Sequence, residues 1–368
     1  MKIAIINRHH SSTLGGSELQ ADLIGSELVR YGHDVVYLAV GGKAKSYESP
    51  YRVVNVDLWP PDLLELLQRE KPDLVYWRHN KNHLLRTVIA AQWLGIPLVF
   101  SCAHDTDVQS LSSTIANDSP ISFRRTKTLL QKTTNAVNYG GFQLVSGAVA
   151  QTSYQFQRLP VENKVLIRNS YDPRAEPFTW PRRFIAWVGT VKQRKRPEIF
   201  VRLATSCRDL NTDFLMIGRM SDPAYTWIAE ESSEYLPNFY FLGERTPEQT
   251  NGIIGAAQFV VHTSDAEGFS NVLIQAWMNH KPTLTVSVDP DQLIEGYQMG
   301  RRCPDFNDLV RTTRGLSADP GRITLYGANA RRKAEQLFDR EQNINQLLSF
   351  FWQTLEGRQS RRPAESHG

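Results

Sequence analysis

The chain has 368 residues, of which 41% are hydrophobic, 22% charged and 10% aromatic. That length suggests two domains, and the hydrophobic fraction supplies enough core to exclude global disorder. Lys and Arg number 42 against 38 Asp and Glu, a net charge of +4, too small a bias to argue for nucleic acid, so any positive field must be local.

Met1-Lys2-Ile3-Ala4-Ile5-Ile6-Asn7 carries one charge and a short apolar run without a small-residue cleavage site, unlike a signal peptide. No run of about 18 apolar residues occurs. The expectation is a cytoplasmic protein starting at Met1. Cys102, Cys207 and Cys303 form no CxxC and leave an odd count, which supports neither a zinc knuckle nor a disulfide framework and suits a reducing compartment.

Short apolar runs alternate with amphipathic stretches. Ile3–Ile6 reads as a strand. Ser17–Tyr31 reads as a helix with Leu19, Leu23, Ile24 and Leu28 on one face, ended by Gly32. Val35–Val40, Leu74–Trp77, Pro97–Phe100, Ala148–Gln151 and Val165–Ile167 follow as strands, with a helix around Leu84–Leu94. Near-continuous apolar strands in a βαβα rhythm indicate a parallel sheet covered on both faces. The stretch 172–182, rich in proline and without periodicity, reads as a linker. The rhythm restarts with Phe184–Val188, Phe214–Ile217, Phe239–Leu242, Phe259–His262 and Thr283–Val286. The expected organisation is an α/β chain of two Rossmann-like domains, 1–171 and 183–340, then a helix over 341–357 that packs back toward the first domain and a disordered tail over 358–368. Ligands of such sheets bind at the carboxyl ends of the strands, which points to a cleft between the two domains.

Four segments carry candidate chemistry. Gly15-Gly16-Ser17-Glu18 lies between the first strand and the first helix. The glycines permit close backbone approach to a phosphate at the helix start, with Ser17 as N-cap and Gln20 completing a capping box; a tight turn explains them equally well. The segment is neither GxGxxG nor a P-loop. Gly189-Thr190-Val191-Lys192-Gln193-Arg194-Lys195-Arg196-Pro197 runs from a strand into four cations within five positions, suited either to solvent or to a diphosphate. Glu267-Gly268-Phe269-Ser270-Asn271 sits just before a helix, where a carboxylate or a bound anion is favoured, and Gln275 falls a little over one turn into that helix. His104 follows the strand Pro97–Phe100, where a base, a donor or a structural ring would all fit. His79 and His83 are four apart but have no neighbouring carboxylate, which gives no metal site.

Together these segments resemble the retaining GT-B glycosyltransferases of glycosyltransferase family four, over nearly the whole chain and in motif order. Gly15-Gly16-Ser17-Glu18 resembles the family's N-terminal Gly-Gly-x-Glu loop. Ala150–Ser153 and Val165–Asp172 resemble the passage before the linker, Gly189–Pro197 the donor loop, and Glu267–Trp277 the family's E-x7-E motif. Gln275 stands where the second glutamate of that motif is expected, Thr190 where an arginine often follows the donor-loop glycine, and Val288-Asp289-Pro290-Asp291 where a Gly-Gly is usual.

The resemblance implies a GT-B fold, two Rossmann-like domains with mostly parallel sheets facing across a cleft, the first on the acceptor side and the second binding the donor. It implies sugar transfer from a UDP- or GDP-linked donor to a glycan or polyprenyl-linked glycan, with retention and without a metal or other cofactor, in bacterial exopolysaccharide, capsule or O-antigen assembly. His104, Lys195 and Glu267 would be catalytic. Gly15, Gly16, Gly189, Thr190, Arg194, Lys195, Arg196, Gly218, Glu244, Glu267, Gly268, Phe269, Ser270, Asn271 and Gln275 would hold the donor, with Gln275 at the ribose. Asp105 and Asp107, in His-Asp-Thr-Asp, could imitate a metal-binding motif. The basic stretch Phe123–Lys132 would serve either as a solvated helix face or as a peripheral contact with the inner membrane surface. The competing reading, suggested by Gln275 and Thr190, is a non-catalytic GT-B subunit that binds a sugar nucleotide or a partner glycosyltransferase.

Overall fold

The computed structural model describes residues 1–12, 15–42, 48–109 and 132–359. The chain divides into two compact units, 1–170 with 340–368, and 171–339.

The first unit is a seven-stranded sheet in the order β3-β2-β1-β4-β5-β6-β7, with every pairing parallel. Its strands are β1 Lys2–Asn7, β2 Asp34–Val40, β3 Arg52–Val56, β4 Leu74–Trp77, β5 Leu98–Ser101, β6 Gly147–Ala150 and β7 Lys164–Leu166. The helices are α1 Gly16–Arg30, α2 Pro60–Glu70, α3 Leu84–Trp93, α4 over 132–140, and α5 Ser153–Arg158. Parallel strands need crossovers, and the helices that supply them cover both faces. One face packs Ala4, Ile6, Leu38, Trp77 and Phe100 with Leu67 and Val88; the other packs Ile3, Ile5, Tyr37 and Tyr76 with Leu28. The C-terminal helix, Arg340–Gln359, adds Ile344, Leu347, Phe350 and Phe351 to this second face.

The second unit repeats the plan with six parallel strands, β10-β9-β8-β11-β12-β13. These are β8 Phe184–Val188, β9 Asp213–Ile217, β10 Phe239–Gly243, β11 Val260–His262, β12 Thr283–Thr285 and β13 Gly300–Arg302. The helices that concern the site are α6 Pro197–Ser206, α7 Trp227–Glu234, α8 Pro247–Ala256 and α9 Asn271–Met278. Trp187 and Trp277 are buried, and each indole N–H donates to a threonine hydroxyl, Thr263 at 2.8 Å and Thr283 at 3.1 Å. Full burial of a tryptophan requires such an acceptor.

Each sheet reverses its strand order between its first and fourth strands, at β1/β4 and at β8/β11. Such a reversal opens a crevice at the carboxyl ends of the two strands, because their crossovers leave in opposite directions.

Three expectations change. The edge strands β3 and β13 are additional to those read from apolar runs. Residues 172–182 are not a free linker: Phe178 and Trp180 stack on each other and pack on the core of the second unit, Trp180 donates to Asp213 at 2.8 Å, and the Glu176 amide bonds the Glu248 carbonyl at 3.0 Å. The capping box at α1 does not form. Gly15 is the N-cap with no side-chain cap, Ser17 donates to the Arg78 carbonyl at 3.2 Å, and the Gln20 amide pairs with both backbone groups of Ser170 at 2.7 and 2.9 Å. The tail from 360 onward and 123–131 of the basic stretch lie outside the described residues.

Candidate active site

In the second unit the donor-loop residues follow β8 and Glu267 follows β11, so both meet at the switch point. Gly189 and Thr190 follow β8, a 3-10 turn covers Gln193–Lys195, and Arg196 adopts a left-handed φ of 47° before Pro197 opens α6. The turn is stitched to the segment after β11. Thr263 donates its hydroxyl to the Lys195 carbonyl at 2.6 Å, and the Asp265 amide donates to the Arg194 carbonyl at 3.2 Å. Lys195 reaches Glu267 and forms an ion pair with it, both side chains being largely buried. Arg196 pairs with Asp265 at 3.0 Å and stands 3.7 Å from Glu198. Two of the four cations, Lys195 and Arg196, thus have acidic partners, which offsets part of the mutual repulsion.

His262 completes the cluster. Its Nε2 lies 3.7 Å from Glu267 and 3.4 Å from the Ser264 hydroxyl, while Nδ1 has no hydrogen-bond partner among the described residues. Burial pushes the ring down to about 4, aided by Lys195 and opposed by Glu267, so His262 is neutral at pH 7. For Glu267 burial pushes upward, but Lys195 and His262 outweigh it and hold the carboxyl at about 2. The cluster is thus one anion, one cation and one neutral ring in a nearly dry crevice.

The remaining candidates of this unit have more local settings. Gly268, Phe269 and Ser270 are buried. Phe269 packs edge-on against Trp277 and at a tilt against Phe338 in the core, so it holds the turn from beneath. Ser270 is the N-cap of α9 without a side-chain cap bond, which leaves its hydroxyl uninvolved in capping and Asn271 first in the helix. Gly218 has φ +150°, and a Cβ there would overlap the Gly189 carbonyl. Its requirement is close backbone approach. Glu244 is exposed beyond β10, the edge strand, two strands from β8 and hence roughly 10 Å away at the usual strand spacing. Gln275 donates to the Asn251 carbonyl oxygen at 2.8 Å, and Asn251 in turn donates to the carbonyls of Asp172 and Arg174 at 3.0 and 2.7 Å. The amide that the resemblance sends to a ribose is tied here to the start of the unit.

In the first unit Gly15 and Gly16 follow β1, and Glu18 folds back so that a Cβ on Gly15 would overlap its carboxylate. Asn7 and Ser17 bind each other at 3.2 Å, and Ser17 also holds Arg78 after β4, which closes this switch point. Arg78 is buried and donates to Tyr76, Ser101 and Asn169 at 3.2, 3.2 and 2.6 Å.

His104 stands after β5. Its Nδ1 accepts from the Thr106 amide at 3.2 Å, which leaves Nε2 to carry the proton of a neutral ring. Asp107 accepts from the amides of Ala103 and His104, both at 2.9 Å, and burial raises it to about 6 against the pull of those amides and Lys81. Asp105 accepts from Gln155 at 2.9 Å. Both carboxylates are thus engaged by the unit's own donors. His79 and His83 share no helical face, because His83 is the left-handed N-cap of α3 and His79 precedes it in a turn.

His9, His10 and Asp22 also converge after β1. Both ring nitrogens of His9 are occupied, by the Ser11 amide and the Ser49 hydroxyl at 3.3 Å each, and Tyr51 donates to Asp22. A metal would have to displace those bonds.

The sequence reading passes over His262, Thr263, Asn251 and Arg78. His262 and Thr263 sit at a strand end, where the alternation of motif and apolar run gives them no mark. Asn251 and Arg78 act through distant partners, up to 79 positions away for Asn251 and up to 91 for Arg78.

Residues 182–319 match the family model described as glycosyl transferases group 1. The matched stretch lies within the second unit. The chain is therefore a transferase enzyme, and among solved structures it shares the GT-B fold. Anabaena HepE in complex with UDP and glucose is 18% identical, with 96% of this chain and 100% of that one covered at a TM-score of 0.71. The sucrose-phosphate synthase of Thermosynechococcus elongatus is 16% identical, with 97% and 100% covered at 0.77. WaaG, a glycosyltransferase involved in lipopolysaccharide biosynthesis, is 16% identical, with 93% and 98% covered at 0.67. No curated protein sequence matches the chain. All pairings in both sheets are parallel, where the expectation was mostly parallel ones. Among the described residues no helix is long and apolar enough to cross a membrane.

Proposed function

We propose that the enzyme is a retaining, metal-independent member of glycosyltransferase family four that moves a hexose from a UDP- or GDP-linked donor to a glycan or polyprenyl-linked glycan. Its place would be bacterial surface-polysaccharide assembly at the cytoplasmic face of the membrane. The observation that carries the reading is the Lys195–Glu267 pair at the β8/β11 switch point, directly before the N-terminus of α9.

Breaking a sugar–phosphate bond places negative charge on the diphosphate and positive charge on the anomeric carbon. Lys195, exchanging Glu267 for the diphosphate, would oppose the first charge, with Arg194 and Arg196 beside it. Glu267, relieved of Lys195, would accept from the sugar hydroxyls, and the amides of Gly268–Ser270 would donate to the donor. Gly15 and Gly16 would admit the phosphates close to their backbone, and His104 would donate a hydrogen bond from Nε2–H to the reacting sugar. Asp105 and Asp107 each hold protein donors through one carboxylate oxygen, and the charge neutralisation proposed here is supplied by side chains and helix amides. The diphosphate would leave the anomeric carbon and the acceptor hydroxyl would enter on the same face, its proton passing to the departing phosphate oxygen, as expected where the described residues supply no second catalytic carboxylate.

A thermal-shift screen of nucleotide sugars tests the reading, since a ligand that binds only the folded state raises stability. We expect one base and sugar to stand out, and turnover with that donor to persist in excess EDTA. A flat screen refutes the donor site, and loss in EDTA restored by magnesium or manganese refutes the metal-free assignment.

A further inference from the structure

Lys195 and Glu267 satisfy each other in a crevice that leaves only about a sixth to a fifth of either side chain exposed, 19% and 17%. If Lys195 turns to a donor diphosphate, Glu267 loses its cation without moving to water, and an unpaired buried carboxylate is costly. One other ionisable group stands within reach. His262 has its Nε2 3.7 Å from the same carboxylate oxygen that Lys195 holds, it is buried to 3% exposure, and its Nδ1 lacks a partner among the described residues. The distance is too long for a hydrogen bond in the arrangement seen, so His262 stands beside the pair without yet serving it.

We propose that His262 is a positioning residue that takes up a proton when the donor binds, replacing Lys195 as the cationic partner of Glu267 and holding that carboxylate toward the sugar. The inference rests on the donor site proposed above.

The charged surroundings of the ring are few. Lys195 faces it from the loop after β8 and Glu267 from the turn after β11, while Arg196 in the same loop is paired with Asp265. β12 lies against it with Thr285, and β8 and α9 carry no ionisable side chain. Lys195 disfavours a charged ring and Glu267 favours it. Donor binding weakens the first influence, leaves the second in place, and adds two phosphate charges, so both changes raise proton affinity at His262. The proton comes from solvent, and no bond other than N–H is made. Because the bound state holds the extra proton, donor affinity must rise as pH falls through the window in which His262 is charged only in the complex, with a limiting slope of about tenfold per pH unit.

Calorimetry of UDP-glucose binding, in two buffers of different ionisation enthalpy at pH 6 and without acceptor, counts the protons. If the screen favours another nucleotide sugar, that donor replaces it. Neither phosphate of such a donor titrates near pH 6, so uptake reports on the protein. We expect up to one proton taken up per donor bound, and none in His262→Gln, whose amide can still donate to Glu267 but cannot charge. In parallel, the ring resonance of His262 in the wild-type protein should move to its protonated position on donor addition, a measurement that needs no variant to fold. Binding without uptake, or uptake that survives His262→Gln and so belongs to Glu267, overturns this inference and leaves the donor site standing. Failure of every nucleotide sugar to bind overturns both.

Discussion

Lys195 makes its contact with Glu267 in the structure, and its proposed partner in the reaction is a diphosphate whose charge grows as the bond breaks. A contact strengthened in the transition state acts on turnover more than on affinity. Lys195→Ala should therefore lower kcat by about a hundredfold or more while donor binding weakens far less. Steady-state kinetics with varied donor separate the two, and near-normal turnover would transfer the role to Arg194. The cationic character of this position and its place in the fold are legible in the sequence, because four cations at a strand's carboxyl end stand out. The partner is not, since Glu267 lies 72 positions away and only the sheet order brings it near. The same reason defeats the local rules at Ser17 and Gln20. A Ser with a Gln three residues on satisfies the capping-box pattern, but Arg78 and Ser170, 61 and 150 positions distant, compete for those side chains and win. Gln275 likewise sits where a motif assigns it to a ribose, while its amide is bonded to Asn251.

At the scale of elements, the buried strands are the most readable part, because a strand covered on both faces must be apolar throughout. Edge strands escape that rule. In β13 only Gly300 is buried, and its two arginines are exposed, so nothing but the backbone ladder marks Gly300–Arg302 as a strand. Residues 172–182 mislead in the opposite way: their prolines suppress periodicity, yet Phe178 and Trp180 find partners on Phe184 and Tyr240. The junction of β8, β9 and the donor loop depends on one close backbone approach. Gly218 has φ +150°, where L side chains are strained, and a Cβ there would meet the Gly189 carbonyl, which caps the strand that launches the loop. Gly218→Ala should thus destabilise the protein by on the order of 2 kcal/mol or more and lower kcat/KM through displaced loop geometry. Gly315, inside the helix Phe306–Ser317 with open space around its Cβ position, is the control. Alanine there should stabilise by roughly 0.5–1 kcal/mol. Thermal unfolding of the two variants decides the matter, and a Gly218→Ala protein that melts with the wild type would remove the close approach as a constraint.

For the whole molecule, buried histidines set how stability responds to acid. Burial pushes His79 down to about 4, with Arg8 and His83 adding to it, and pushes His9 to a similar value, with His10 adding and Asp22 opposing. These two lie in the first unit, and His262, also at about 4, lies in the second. Each is neutral when folded, whereas an unfolded histidine binds a proton below about pH 6.5. The unfolded chain therefore holds more protons between pH 6.5 and 4. Stability is fully present above 6.5 and falls as the pH drops toward the folded values, by about 1.4 kcal/mol per pH unit for each histidine. Asp107 acts in the opposite sense in the first unit. Burial raises its carboxyl to about 6, so the folded state binds its proton first and gains stability as the pH falls below that value. Two histidines still outweigh one carboxyl down to pH 5. In the second unit Asp289 acts in the same sense as Asp107, its carboxyl raised by burial, while Glu267 is held at about 2 and begins to cost stability only below the ordinary carboxylate range. Thermal unfolding should shift to lower temperature from pH 7 to pH 5, with a loss on the order of 2 kcal/mol in each unit. Scanning calorimetry over that range, on the wild type and on His262→Gln, tests both the sign and the assignment. The variant should lose less than the wild type in the transition of the second unit, and a wild-type Tm that stays level or rises on acidification would show that these rings are not held neutral in the fold.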